Sequence, residues 1–136
     1  MPSNAQLTIA DGKGTPVNHT FSPMKIEANG LAKWNERVGD TLVGQPQLTW
    51  HVRDPQGGGN GTYKVQCKLS VPKVIVTTDS TGKSVTSVDY TALGTIEMVV
   101  SQRSTQAERK DLRVMLANAL LNATLATSAD NVESFW

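Results

Sequence analysis

The stretch that decides the fold is "TYKVQCKLSVPKV", residues 62–74. Tyr63, Val65, Cys67, Leu69 and Val71 fall at every second position, so an extended chain carries them on one side. Lys64, Gln66, Lys68 and Ser70 fall on the other. This is the pattern of a strand in a sheet covered on one face only. Two lysines and a glutamine in a row on the open face call for a reason, because the whole chain carries a net charge of only +1.

Upstream, "PQLTWHVRDP" (46–55) alternates in the same way. Leu48, Trp50 and Val52 take one side; Thr49, His51 and Arg53 take the other. "DPQGGGNG" (54–61) is dense in turn-forming residues and joins the two strands, which predicts an antiparallel hairpin with a long loop. Both polar sides then meet on one face. Over residues 46–76, Arg53, Lys64, Lys68 and Lys73 stand against Asp54 alone, so the positive charge sits on these strands.

Further out the reading continues in strands. "QLTIADGKGTPVNHTFSP" (6–23) reads as a hairpin turning at Asp11-Gly12. "NGLAKWNERV" (29–38) opens on a turn dipeptide, and Leu31 to Val38 is read as a short strand in preference to a helical turn. "TTDSTGKSVTS" (77–87) reads as a loop, followed by a strand in "DYTALGTIEMVVS" (89–101). There Ile96, Met98 and Val100 face one way and Thr95, Glu97 and Val99 the other. The period then changes to helical in "STQAERKDLRVMLANALLNATLATSADNV" (104–132). Thr105 and Glu108 have the spacing of a capping box. Leu112, Met115, Leu116, Ala119 and Leu120 form an apolar stripe, and Val114, Ala117 and Leu121 widen it nearly all round. Such a helix needs more than one surface to bury against; its own sheet offers one and a second subunit another. Strands followed by helices make the class α+β with an antiparallel sheet, in a single domain spanning 1–136.

Composition narrows the function. No apolar run approaches the roughly 18 residues that span a membrane, and no signal peptide is expected at the N-terminus. The one cysteine, Cys67, excludes an intrachain disulfide and fits synthesis in a reducing cytosol. Cys67 alternates with core positions, which reads as a buried thiol rather than a nucleophile. Two histidines, His19 and His51, offer no metal-ligand spacing, so no metal and no cofactor is expected. "STGKS" (80–84) lacks the first glycine of a phosphate loop and reads as a turn. No pair of carboxylates suggests acid–base chemistry, and an enzyme is not expected.

At this point the residues resemble a known family. "YKVQCKLSVPKV" is similar to the central strand of the coat proteins of single-stranded RNA bacteriophages, the leviviruses. "NGLAKW" (29–34), "LTWHVRDP" (48–55) and "SQRSTQAERKDLRVMLANALL" (101–121) resemble three further segments of that family, in the right order, the last closest to its allolevivirus branch. The resemblance implies an N-terminal β-hairpin, a five-stranded antiparallel sheet and two C-terminal α-helices in an interlocked homodimer. Dimers of the family build an icosahedral shell around single-stranded genomic RNA, and one RNA hairpin is bound tightly enough to repress replicase translation.

Carried over position by position, the resemblance implies an RNA face of Leu31, Thr49, His51, Arg53, Lys64, Gln66, Lys68, Thr95 and Glu97. Leu93 stands where the family often has a base-stacking tyrosine, and His51 replaces a pocket hydroxyl. Leu112, Met115, Leu116 and Leu120 would lie at the dimer interface, and Thr78, Asp79, Ser80, Thr81, Gly82 and Lys83 in a loop between dimers. The expected place is the virion, assembled in the cytoplasm of a bacterial host, with no membrane partner. Two other readings stay open: a dimeric cytosolic RNA-binding regulator that forms no shell, and an assembly protein whose lysine face is merely solvated.

Overall fold

The computed structural model describes residues 3–39, 41–56 and 61–135. Six strands form one sheet in the order of the chain: β1 (Leu7–Ala10), β2 (Asn18–Ile26), β3 (Ala32–Glu36), β4 (Gln47–Arg53), β5 (Thr62–Thr78) and β6 (Ser84–Ser101). Two helices follow, α1 (Gln106–Leu121) and α2 (Ala123–Asn131). The class is α+β, as the period change predicts. The expected hairpin plus five strands is instead a single six-stranded sheet, because β1 and β2 pair on into β3 and the last two strands run long, at 17 and 18 residues.

The chain divides into two compact units, Met1–Asp54 with Lys64–Glu97, and Pro55–Tyr63 with Met98–Trp136. In the first, the core is small: Phe21, Trp34 and Leu48 are buried, and Leu7, Ala32, Cys67 and Leu69 pack against them. All seven fall on one face by the pairing register, which matches Leu7 with Phe21, Trp34 with Leu48, Leu48 with Leu69 and Trp50 with Cys67. The Trp34 indole donates from Nε1 to the Ala5 carbonyl at 2.9 Å and ties down the segment before β1. Trp50 and Val52 lie on the same face yet remain exposed. Gly44 takes φ +81°, and a Cβ there would stand 2.0 Å from Val74 Cγ2, so only glycine fits.

β2 carries a bulge between Pro23 and Lys25, leaving Met24 without a partner on β3. Pro23 has no N–H to give the ladder, which favours an interruption at this point. The loop expected over 77–87 is shorter: β5 runs to Thr78 and β6 starts at Ser84. The turn between them is closed by Asp79, whose Oδ1 accepts from Thr81 N at 2.8 Å and Lys83 N at 2.9 Å. The Thr81 hydroxyl, which donates to the same oxygen at 2.6 Å, and then these backbone bonds hold the Asp79 carboxyl below its ordinary range. The expected loop over 54–61 lies partly outside the described residues.

β6 ends the sheet, so one side of its 18-residue backbone has no neighbour among the described strands. Asp89 and Glu97 are the only charges along it, and it contains neither lysine nor proline.

In the second unit, Thr105 caps α1 in the capping box that its spacing predicts: Glu108 N donates to Thr105 Oγ1 at 3.3 Å and Thr105 N donates to Glu108 Oε2 at 2.7 Å. Asn122 ends α1 in extended backbone and caps α2, its Oδ1 accepting from Thr124 N at 3.1 Å. Neither helix buries a residue. Leu112, Met115 and Leu120 are exposed within the single chain; only Leu116 of the expected interface set is half-buried.

Candidate nucleic-acid interface

The face opposite the core is built by strand pairing. β4 and β5 align Thr49 with Lys68, His51 with Gln66 and Arg53 with Lys64, without a bulge. Paired residues in an antiparallel ladder project to the same side, so the six residues expected from the two alternating strands stand together. Lys64, Lys68 and Arg53 are exposed; Thr49, His51 and Gln66 are half-buried.

Glu97 reaches this group from β6, its Oε1 lying 3.8 Å from Lys64 Nζ, an exposed pair that contributes little to stability. Thr95, two residues earlier on β6, follows it by strand alternation, as does Leu93, which is 67% exposed. Leu31 lies just before β3, with its N–H donating to Asn29 Oδ1 at 3.0 Å. Extending the β3–β4 register by one residue from the Ala32–Trp50 pair brings Leu31 beside His51.

His51 is held rather than free. Its Nε2 lies 2.9 Å from the Asn29 carbonyl, and Arg53 Nε donates to its Nδ1 at 3.2 Å. A nitrogen that accepts from Arg53 leaves the other to carry the proton, so the neutral Nε2–H tautomer satisfies both contacts. The ring is therefore locked between the β2–β3 turn and the guanidinium. Its bonds to its own chain orient its face, and that geometry suits stacking better than donation to a base edge.

Sequence reasoning missed two cations. Lys33, absent from the set that the resemblance implies, stands on this face: β3 pairs Lys33 with Thr49. Lys25 joins it, because the bulge at Met24 resets the alternation and sets Lys25 opposite Lys33. Glu27 lies between them, its Oε1 at 2.5 Å from Lys33 Nζ and 3.6 Å from Lys25 Nζ. The hydrogen bond from Lys33 is the main reason that the Glu27 carboxyl ionises below its ordinary range. Strand alternation from Leu31 already points to Lys33 two residues on, and the β3–β4 register fixes it there.

Two other chemical features lie off this face. His19 bridges two carboxylates, with Nδ1 2.7 Å from Glu36 Oε1 and Nε2 3.3 Å from Asp11 Oδ2. Cys67 lies on the core face, and burial pushes its thiol pKa up, away from nucleophilic reactivity.

Comparison with known proteins places this geometry. Residues 2–136 match the family described as Levivirus coat protein. The capsid protein of Pseudomonas phage PRR1 is 33% identical over 115 residues, covering 84% of this chain and 82% of its own. Among solved structures, the virus-like particle of bacteriophage ESE058 superposes with a TM-score of 0.88 at 26% identity, over 99% of this chain and 100% of that one. The capsid protein of bacteriophage GA superposes with a TM-score of 0.78 at 20% identity, over 97% of each chain, and shares the fold.

Proposed function

Because the chain belongs to the levivirus coat protein family, we propose that this capsid protein dimerises, closes into an icosahedral shell and binds genomic RNA on the sheet face that carries Lys64 and Lys68. The observation that carries the RNA reading is the β4–β5 register, which gathers Thr49, His51, Arg53, Lys64, Gln66 and Lys68 on one face. Repeated around a shell, that face lines the interior with cations. Phosphates take the salt-dependent part of the affinity, and base contacts take the selective part. Binding of one hairpin near the replicase start represses translation of that gene. His51 and Leu31 are its base contacts, and Leu93 supplies an apolar surface in place of an aromatic one.

Association is supported by what one chain leaves uncovered. Leu112, Met115 and Leu120 on α1, and Trp50 and Val52 on the core face, are exposed. β6 adds a backbone edge with no neighbour among the described strands. Apolar patches and open edges of this kind mark contact surfaces. The similar structure from bacteriophage ESE058 is a virus-like particle, which supports the shell over a shell-less regulator. Assembly then takes place in the cytoplasm of the bacterial host and ends in the virion.

The test combines microscopy with titration. Protein purified from bacteria is expected to give regular, RNA-containing particles by electron microscopy. Binding of a short RNA stem-loop is then measured over a range of salt. Lys64→Ala and Lys68→Ala are each expected to weaken binding and to lower the log–log salt slope by about 0.7 to 1. Thr49→Ala and Gln66→Ala are expected to reduce discrimination between stem-loops by roughly 1 to 3 kcal/mol, by analogy with base readout in DNA, at nearly unchanged slope. Small dimers free of nucleic acid would remove the shell, and an unchanged slope in both lysine variants would remove the RNA face.

A further inference from the structure

The pairing registers lay out a row that no single strand reveals. Lys25 is opposite Lys33, Lys33 opposite Thr49, and Thr49 opposite Lys68. The row crosses four strands on one face and is about 14 Å long at ordinary strand spacing. It runs at right angles to the strands and contains three lysines.

Two of those lysines make a costly pair. Like charges directly opposite in an antiparallel ladder repel and destabilise the sheet. The bulge at Met24 creates this pairing: without it, unbroken alternation would turn Lys25 to the core face. Glu27 offsets part of the repulsion, sitting 2.5 Å from Lys33 and 3.6 Å from Lys25. One carboxylate between two ammonium groups still leaves the cluster with a positive charge. Lys25 is 62% exposed, so it is open to an incoming anion. On the other side of the row, Thr49 and Lys68 already belong to the candidate interface.

We propose that Lys25 and Lys33 are phosphate contacts, extending the RNA face from the β4–β5 hairpin across β3 to β2, and that Glu27 holds the Lys33 ammonium until a phosphate takes its place. This rests on the RNA reading above. Glu27 keeps the two cations from repelling in the empty protein and opposes binding by its own charge. The row gives the RNA backbone a path across the strands, in addition to the path along the β4–β5 hairpin.

A fluorescent polyuridine oligomer, which reports backbone binding without base selection, is titrated against the full-length chain over a range of salt. Lys25→Met and Lys33→Met keep the apolar stem and remove the charge. Each is expected to weaken binding and to lower the salt slope by about 0.7. Glu27→Gln is expected to tighten binding more than Asp111→Asn, which removes the same charge from α1. Combining Glu27→Gln with Lys33→Met is expected to abolish that gain. Lys110→Met on α1 is the reference for a lysine off the sheet. If Lys25→Met and Lys33→Met match Lys110→Met while Lys64→Ala and Lys68→Ala still lower the slope, the extension is wrong and the hairpin face stands. If none of the four sheet lysines moves the slope, the RNA face itself fails. Should Lys33→Met not fold, Lys33→Gln carries the same test. A Glu27→Gln effect no larger than that of Asp111→Asn removes the placeholder role.

Discussion

At the scale of single residues, His19 carries the clearest pH dependence. The hydrogen bond that its Nδ1 donates to Glu36 is the main reason that its pKa is raised from 6.5, and Asp11 adds to it. A raised folded-state value means that the contribution is fully present below about pH 6.5 and is lost as pH rises through the folded value. Asp11 has the opposite sign. Its carboxyl ionises far below the ordinary 3.8, first through Lys13, so its contribution is present above that value and lost on acidification. The β1–β2 hairpin and its β3 neighbour are thus expected to hold best in mildly acidic solution. Thermal melts between about pH 5 and pH 8 should show midpoints that fall with rising pH in the parent protein and fall less in His19→Gln. An identical fall in the variant would place the titration elsewhere. Both carboxylates are partly exposed to solvent, at 19% and 12%, so the effect is a slope and not a switch.

At the scale of elements, what the sequence disclosed depended on whether a feature is local. The β4–β5 hairpin was legible because both strands keep a period of two and no bulge interrupts them. The start of α1 was legible because a capping box is a four-residue pattern. The position of Lys25 was not, because one unpaired residue at Met24 reverses the side of every residue after it. That of Lys33 was within reach, two residues along the expected strand from Leu31, and its pairing with Thr49 fixes it. The turn after β5 was read as a long loop since its residues are polar and small. Asp79 nonetheless organises it through three hydrogen bonds, two from Thr81 and one from Lys83. If this turn is a contact between dimers, its shape matters more than its sequence. Asp79→Ala is expected to leave the sheet folded and to broaden or abolish the particle population seen by electron microscopy. Particles of unchanged size and yield would take the turn out of the shell contacts.

At the scale of the whole molecule, the small core and the uncovered helices point the same way. Among the described residues, three buried apolar side chains make a small core. The apolar stripe on α1 was legible in the sequence because it repeats at helical spacing, while the surface that covers it was not, because a helical period records no partner. Leu116 is the stripe's half-buried member, and truncating a buried leucine costs roughly 2 to 5 kcal/mol. In a core shared by two chains, that loss falls on folding and association together. Leu116→Ala is therefore expected to give aggregate or unfolded chain by light scattering and circular dichroism. A well-folded, soluble Leu116→Ala monomer would contradict an interlocked dimer.

The bare edge of β6 has a further consequence, for timing. Proteins commonly guard such an edge with lysine, proline or a short strand, and β1 at the opposite edge has only 4 residues. β6 has 18 and neither guard residue, so under the dimer reading it is the edge that a second copy would occupy. A newly made chain then carries an unsatisfied template for as long as it waits for a sibling, and that wait shortens as siblings become more numerous. Fast, concentrated synthesis is protective for such a chain, and dilution is the hazard. Refolding from denaturant should show a rate that rises with chain concentration, and soluble yield should be poorest where partners are scarce.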